Sequence, residues 1–278
     1  MGLFDFFKKR SAPRVEAKIS FSTKEELEKI TKENPKKETR NFQKDAAGLY
    51  PHEILLLSYY KKYYNGKPIA KFWEYEFGVD NVPELMKSLE LRGFAQNGEL
   101  TELGKEEVKS GEYILYMRRH KFYDISISDM SILVNKHPNI NFRDLLWGEF
   151  NRLSNKYMQN RQYGLYRNVR YEMYRFLIEE KKYPNAFSCL AEVLFYDLNG
   201  SNSPLVPPRI IENIREISRK LDETDEQIIS KLQKEYSDMF SPYKNFTPDE
   251  VNCIFTAYAF GHDEIAQEIL GRHHVKIF

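Results

Sequence analysis

The residues best suited to chemistry lie between Asn151 and Arg175, where cations alternate with tyrosines and Glu172 is the only acid. Arginine binds phosphate or carboxylate groups through two parallel hydrogen bonds, and the planes of arginine and tyrosine stack on unpaired bases. The segment therefore predicts a nucleic-acid-binding surface. Its candidate residues are Arg152, Lys156, Arg161, Arg167, Arg170, Tyr171 and Tyr174. The last four fall at i, i+3, i+4 and i+7 and so form one stripe of a helix.

A second interpretation of this segment is structural. Tyrosine is common where helices pack, and the charge along the chain is uneven: the net charge is +5 for residues 111–182 and −6 for residues 183–278. If the basic residues form one exposed face, nucleic-acid binding is favoured. If they pair with acids of the C-terminal third, a protein–protein adaptor that uses the helical domain is favoured.

A shorter basic cluster contains Arg118, Arg119 and Lys121, at the end of a predicted helix. These cations are candidates for contacts with the phosphates of a duplex. The alternative is that they only complement the negative end of the helix dipole.

The third candidate is a predicted helix, capped by Asp80 or Asn81, that carries only two cations, Lys87 and Arg92. Side chains that read bases in the major groove reach their edges with groups of this kind. However, residues 51–110 have a net charge of −2, which opposes phosphate binding. These two residues are therefore the weaker candidates for base recognition.

Catalytic and metal-binding patterns are absent from the sequence. It contains no H-E-x-x-H, Walker, G-x-G-x-x-G or G-x-S-x-G pattern, and its six histidines lack metal-ligand spacing. The two cysteines, Cys189 and Cys253, lie in apolar helical patterns that predict buried thiols in a reducing compartment. We therefore expect a non-catalytic protein with no metal and no cofactor.

The sequence also predicts a cytoplasmic protein. Its longest apolar runs are far shorter than the ~20 residues that span a bilayer. Residues 1–10 lack the long apolar region of a secretory signal.

Periodicity predicts a mainly helical fold. A helix over Pro51–Tyr64 begins with proline in its first turn, and a tiny β-hairpin is expected across Asn97 and Gly98, a favoured two-residue turn. Lys105–Arg119 is predicted as one helix. The order is helix, helix, turn, helix, hairpin, helix.

After Phe122 the chain is predicted to be helical throughout. The helix Tyr166–Glu180 and the helix Asn185–Leu198 resemble one tetratricopeptide-like (TPR-like) hairpin, with Tyr183 and Ala186 at the tight contact positions. The predicted core stripe of the first helix is Tyr166, Val169, Met173, Phe176 and Leu177.

The region before Phe122 resembles two DNA-binding modules. The stretches Leu89–Phe94 and Leu100–Lys105 are similar to the third helix and wing of bacterial winged-helix regulators. The same region resembles the SAP module, which has an apolar helix ending in glycine and a second glycine in the following loop. The sequence departs from that module at Glu99, where basic residues are expected. The residues that fit the SAP pattern are Val82, Leu85, Leu89, Gly93 and Gly98.

More broadly, the chain is similar to SAP-domain proteins of Gram-positive bacteria and their mobile elements, through residues 49–121 and Tyr196–Gly200. The resemblance implies non-catalytic DNA binding, in gene regulation or in a mobile element. It also implies a winged-helix or SAP-like module at 47–121, followed by an all-helical domain at 122–278.

Residues 1–46 are predicted to precede these domains as an amphipathic start and a polar tether. Met1–Arg10 places apolar residues before basic ones and is similar to the membrane-targeting peptide of the bacterial division-site topological factor. A short element of this kind implies weak, reversible contact with a membrane surface. A capping-box pattern also predicts a helix over Thr23–Glu33.

Overall fold

The computed structural model describes residues 42–200, 206–238, 246–259 and 261–274. The described residues are mainly helical, as predicted, with thirteen helices and one two-stranded sheet. The predicted elements Met1–Arg10 and Thr23–Glu33 lie outside the described residues.

The first part of the fold contains five helices and the hairpin. The bounds are α1 Pro51–Tyr64, α2 Phe72–Phe77, α3 Val82–Leu91, β1 Ala95–Gln96, β2 Glu99–Leu100, α4 Glu102–Ser110 and α5 Glu112–His120.

Local chemistry explains several of these boundaries. Helix α1 has the predicted bounds, with Pro51 at its first position. The side chain of Asn81 accepts a hydrogen bond from the backbone N–H of Glu84 and caps α3. Between β1 and β2, Asn97 has φ of 51° and Gly98 has φ of 84°, as the tight turns of β-hairpins require. The predicted hairpin is therefore confirmed.

One predicted helix is interrupted. Lys105–Arg119 is divided between α4 and α5 at Gly111. A Cβ at this position would lie 2.2 Å from Cγ2 of Ile54, so the chain needs glycine for its close approach to α1.

The second part of the fold contains eight helices. Helix α8 packs on α7 and α9, α9 also packs on α10 and α11, and α12 packs on α13. The bounds are α6 Ile127–Lys136, α7 Phe142–Gln159, α8 Tyr163–Glu179, α9 Tyr183–Gly200, α10 Val206–Lys220, α11 Asp225–Asp238, α12 Pro248–Ala259 and α13 Asp263–His274.

One hydrophobic core runs from Leu49 to Leu270. All five residues of the core stripe predicted for α8 are buried, which confirms that stripe. Contacts group the described residues into one compact unit. Some of them cross the predicted boundary at residue 121, so the division into two domains stays a prediction.

The two cysteines differ in their exposure to solvent. Cys189 is buried, as predicted, and burial raises the pKa of its thiol to about 11. Cys253 is exposed, so the prediction of a buried thiol is wrong there. The core face of α12 is formed by Val251, Ile254 and Phe255, and the helical repeat turns position 253 away from that face.

Candidate binding surfaces

Arg167 lies on α8, and a carboxylate of α9 binds its guanidinium group. Its Nε donates to Oδ1 of Asp197 over 2.8 Å and its Nη2 donates to Oδ2 over 2.6 Å. This two-point pairing matches the planar guanidinium to the carboxylate. Burial raises the pKa of Asp197, and the hydrogen bonds from Arg167 oppose that shift.

Arg170, one turn further along α8, is also engaged by α9. Its Nη2 donates to Oε1 of Glu192 over 2.8 Å, and the hydroxyl of Tyr166 donates to the other oxygen of the same carboxylate over 2.5 Å. The Arg170 side chain is only 16% exposed. Arg167 and Arg170 therefore face the acidic C-terminal third of the chain and not solvent.

The two predicted tyrosines of α8 remain partly accessible. The rings of Tyr171 and Tyr174 are 5.6 Å apart, and the guanidinium carbon of Arg167 is 5.5 Å from the Tyr171 ring. Burial, then Tyr171, then Glu216 of α10 raise the pKa of Tyr174 to about 12, while Arg209 of α10 opposes the shift. Tyr174 is thus a neutral hydroxyl beside α10.

We call Tyr171, Tyr174, Arg209 and Glu216 the tyrosine face. Both charged residues of this face are exposed on α10. Because α8 and α10 both pack on α9, the face combines half-buried aromatic rings with an exposed rim of both charge signs.

The cations near the end of α7 behave differently from those of α8. Arg152 pairs with Glu149 one turn earlier on its own helix, through bonds of 2.8 and 2.6 Å, and is 59% exposed. Lys156 and Arg161 are exposed and have no carboxylate within 4 Å among the described residues. Arg161 follows α7 with φ of 56°.

The basic cluster at the end of α5 is divided in the same way. The Arg118 guanidinium lies 3.6 Å above the ring of Phe72, and its Nε donates to Glu76 over 3.1 Å. Arg119 and Lys121 are exposed, with no ion pair to any described residue. Arg118 therefore fastens α5 to α2, whereas its two neighbours face solvent.

The two predicted cations of α3 also differ, because Arg92 is paired within the fold and Lys87 is exposed. Arg92 donates to Glu53 over 2.6 Å and to the carbonyl oxygen of Gly48 over 3.1 Å, which ties the end of α3 to α1. Lys87 is exposed and lines a shallow groove together with Leu91, which is 81% exposed. Of the two residues, Lys87 is the one available to a ligand.

The predictions from the sequence do not identify the partners Asp197 and Glu192, nor the burial of Glu172. No local pattern identifies the two partners, because they lie 30 and 22 residues from the arginines that they bind. Glu172 carried a signal, because it is three residues after Val169 and four before Phe176. That spacing places it on the core stripe of α8.

Among the described residues, no group of three or more histidine, cysteine or acidic side chains is arranged to hold a metal ion. The helices in this part of the chain include none that is both long and apolar enough to cross a membrane. Comparison of the chain with protein-family models, curated proteins and solved structures finds no match.

Proposed function

We propose that this chain is a non-catalytic, cytoplasmic binding protein that holds a segment of a protein partner on the tyrosine face. The observation that carries the proposal is the pairing of Arg167 and Arg170 with Asp197 and Glu192. Two central cations of the predicted nucleic-acid surface are neutralised inside the fold, while Tyr171 and Tyr174 beside them remain partly accessible.

The chemistry of the tyrosine face suits a protein better than a polyanion. Tyrosine offers a rigid apolar ring and a polar hydroxyl, and it is enriched at the centres of protein interfaces. Arg209 and Glu216 supply a rim of both charge signs, as protein interfaces commonly do. A nucleic acid would meet Glu216 as an unfavourable charge.

The finer architecture is part of the proposal. For residues 47–121 we propose a winged-helix or SAP-like module, and the hairpin between α3 and α4 supports this proposal. The burial of Ala186 supports a TPR-like α8–α9 hairpin, whereas Tyr183, the other residue expected at a tight contact, is only partly buried. Under this proposal the first module serves mainly to pack against and support the helical domain.

The test is selection of peptides from a random display library on the full-length protein, followed by fluorescence anisotropy of the selected peptides. Tyr171→Ala with Tyr174→Ala is expected to weaken their binding by about tenfold or more, since interface tyrosines commonly contribute over 1 kcal/mol each. Tyr75→Ala is the matched control, because Tyr75 is a 73% exposed tyrosine on α2. Peptides that bind the double variant as tightly as the wild type would contradict the proposal.

DNA binding is the second candidate, and one observation favours it. Five of the predicted cations are exposed and free of ion pairs to described residues: Lys87, Arg119, Lys121, Lys156 and Arg161. Cations of this kind bind phosphates and release counterions.

The same anisotropy assay with labelled single- and double-stranded DNA tests this candidate at about 50 and 200 mM salt. Binding that weakens steeply with salt, and that Lys156→Ala with Arg161→Ala reduces, would favour DNA over the protein partner. These two cations are better probes than Arg167 and Arg170, whose removal would leave buried carboxylates unpaired.

A further inference from the structure

Exposed cations from separate chain segments meet at the end of the fold where α8 ends. Lys181 and Lys182 lie in the turn between α8 and α9, and both are exposed. The ammonium of Lys220, the last residue of α10, lies 5.3 Å from the ring of Tyr183, the first residue of α9. Arg219 precedes Lys220 in the last turn of α10. The end of α10 is therefore adjacent to the α8–α9 turn.

Helix α5 brings two more cations to the same place. Nε2 of His120 lies 3.0 Å from Oε1 of Glu179, the last residue of α8. Arg119 precedes His120, and Lys121 follows it as the first residue of the α5–α6 connection, residues 121–126. We call the six exposed cations the basic end: Arg119, Lys121, Lys181, Lys182, Arg219 and Lys220.

The acids next to the basic end do not balance its charge. Glu180 and Glu223 are paired with cations that do not belong to it, Arg143 and Lys231. The exposed acids that adjoin it are Asp144, Glu179 and Asp222. A surface with an excess of positive charge attracts an anionic partner.

Two lysines of the basic end occupy backbone conformations that glycine adopts more easily. Lys121 follows α5 with φ of 49°, and Lys181 follows α8 with φ of 56°. The turn between α12 and α13 has Gly261 with φ of 76° at the position that corresponds to Lys181, and the next N–H makes the same hydrogen bond in both turns. Lysine is less stable than glycine in this conformation, which indicates that these side chains serve a purpose other than stability.

We propose that the basic end binds the surface of a membrane that contains anionic lipids. The sequence of residues 1–10 favours a membrane over a nucleic acid, because four apolar residues, Leu3, Phe4, Phe6 and Phe7, precede Lys8, Lys9 and Arg10. A short apolar element binds a membrane weakly and needs a second signal, such as a patch of basic residues. The basic end supplies that second signal from the folded part of the chain, and it does not use the tyrosine face.

The experiment is sedimentation of the full-length protein with vesicles of equimolar phosphatidylserine and phosphatidylcholine, at about 50 and 200 mM salt. The wild type is expected to bind these vesicles, more weakly at the higher salt, and to bind phosphatidylcholine vesicles much less. Lys181→Gly, alone and with Lys121→Gly, is expected to weaken binding by about fivefold for each lysine removed. Because glycine adopts a positive φ freely, both variants should unfold in urea at the wild-type midpoint or above it.

Arg161→Gly is the matched control, because it removes one charge from the same kind of turn at the opposite end of α8. Arg161 has φ of 56°, and the N–H of Gln162 bonds to the carbonyl oxygen of Tyr157 as that of Lys182 bonds to Leu177. Its vesicle binding is expected to equal that of the wild type.

Three results would overturn the proposal. The first is unchanged vesicle binding in the double variant. The second is an equal loss in Arg161→Gly and Lys181→Gly, which would mean that total charge and not the basic end sets the affinity. The third is a wild type that binds duplex DNA, but not the mixed vesicles, and loses that binding in Lys181→Gly, which would assign the basic end to a nucleic acid.

Discussion

Two buried carboxyl groups make contacts at helix α8, and the fold accommodates their charges in different ways. Asp197 reaches α8 from α9 and meets Arg167, which neutralises it through two hydrogen bonds. Glu172 reaches the α5–α6 connection and meets a backbone N–H, with a second carboxylate, Asp124, nearby. The difference shows how a buried acid is accommodated: either a fixed cation neutralises it, or a proton does.

The comparison also separates a carboxylate that is paired with a permanent cation from a carboxyl whose charge depends on pH. Arginine stays protonated at all ordinary pH values, so the Arg167–Asp197 pair keeps its cation across the physiological range. A carboxyl that relies on a proton changes state near neutrality. Predictions about the two sites should therefore differ in both size and pH dependence.

The largest expected effect comes from breaking the fixed pair. Arg167→Ala leaves the buried carboxylate of Asp197 without its cation, and loss of one partner of a buried pair costs about 3–5 kcal/mol. The measurement is urea unfolding at neutral pH. Arg167→Ala with Asp197→Ala should recover much of this free energy of unfolding, since the uncompensated charge is then gone. A loss below about 1 kcal/mol in the single variant would mean that water reaches Asp197 freely.

How much of this was predictable depends on whether the information is local. The bounds of α1, the Asn81 cap and the turn at Asn97 and Gly98 follow from neighbouring residues, and the structure has each of them. The break at Gly111 had a local signal that the predicted helix overlooked, because glycine after serine disfavours a helix interior. The close approach of Gly111 to Ile54 on a different helix is not local and could not be read from the sequence.

The candidate site was also predictable only where the information is local. Sequence spacing identified the stripe that contains Arg167 and Arg170, and the opposite charges of the two regions made their pairing an open alternative. Which acids they meet depends on the register of α8 against α9, which no local pattern encodes. The exposure of Cys253 was missed for a related reason: an apolar pattern does not by itself say which face of α12 meets the core.

A smaller effect is expected at His120. Its buried imidazole must be protonated near Arg175, Arg119 and Arg143 when the pH falls, and burial is the main cause of its lowered pKa. The free energy of unfolding should decrease below pH 6.5, with a slope of at most about 1.4 kcal/mol per pH unit from this one group. His120→Gln should have a shallower slope over that range. An identical slope in both proteins would assign the acid sensitivity to other groups.

The smallest effect is expected for Arg152→Ala, which compares an exposed ion pair with the buried pair of Arg167 and Asp197. Arg152 makes the same two-point contact with a carboxylate as Arg167, but its side chain is 59% exposed whereas that of Arg167 is 21% exposed. Water screens an exposed pair, so the loss should be under about 1 kcal/mol and should shrink further at high salt. Urea unfolding of both variants at low and high salt measures this. Equal losses would show that hydrogen-bond geometry, and not burial, sets the strength of these pairs.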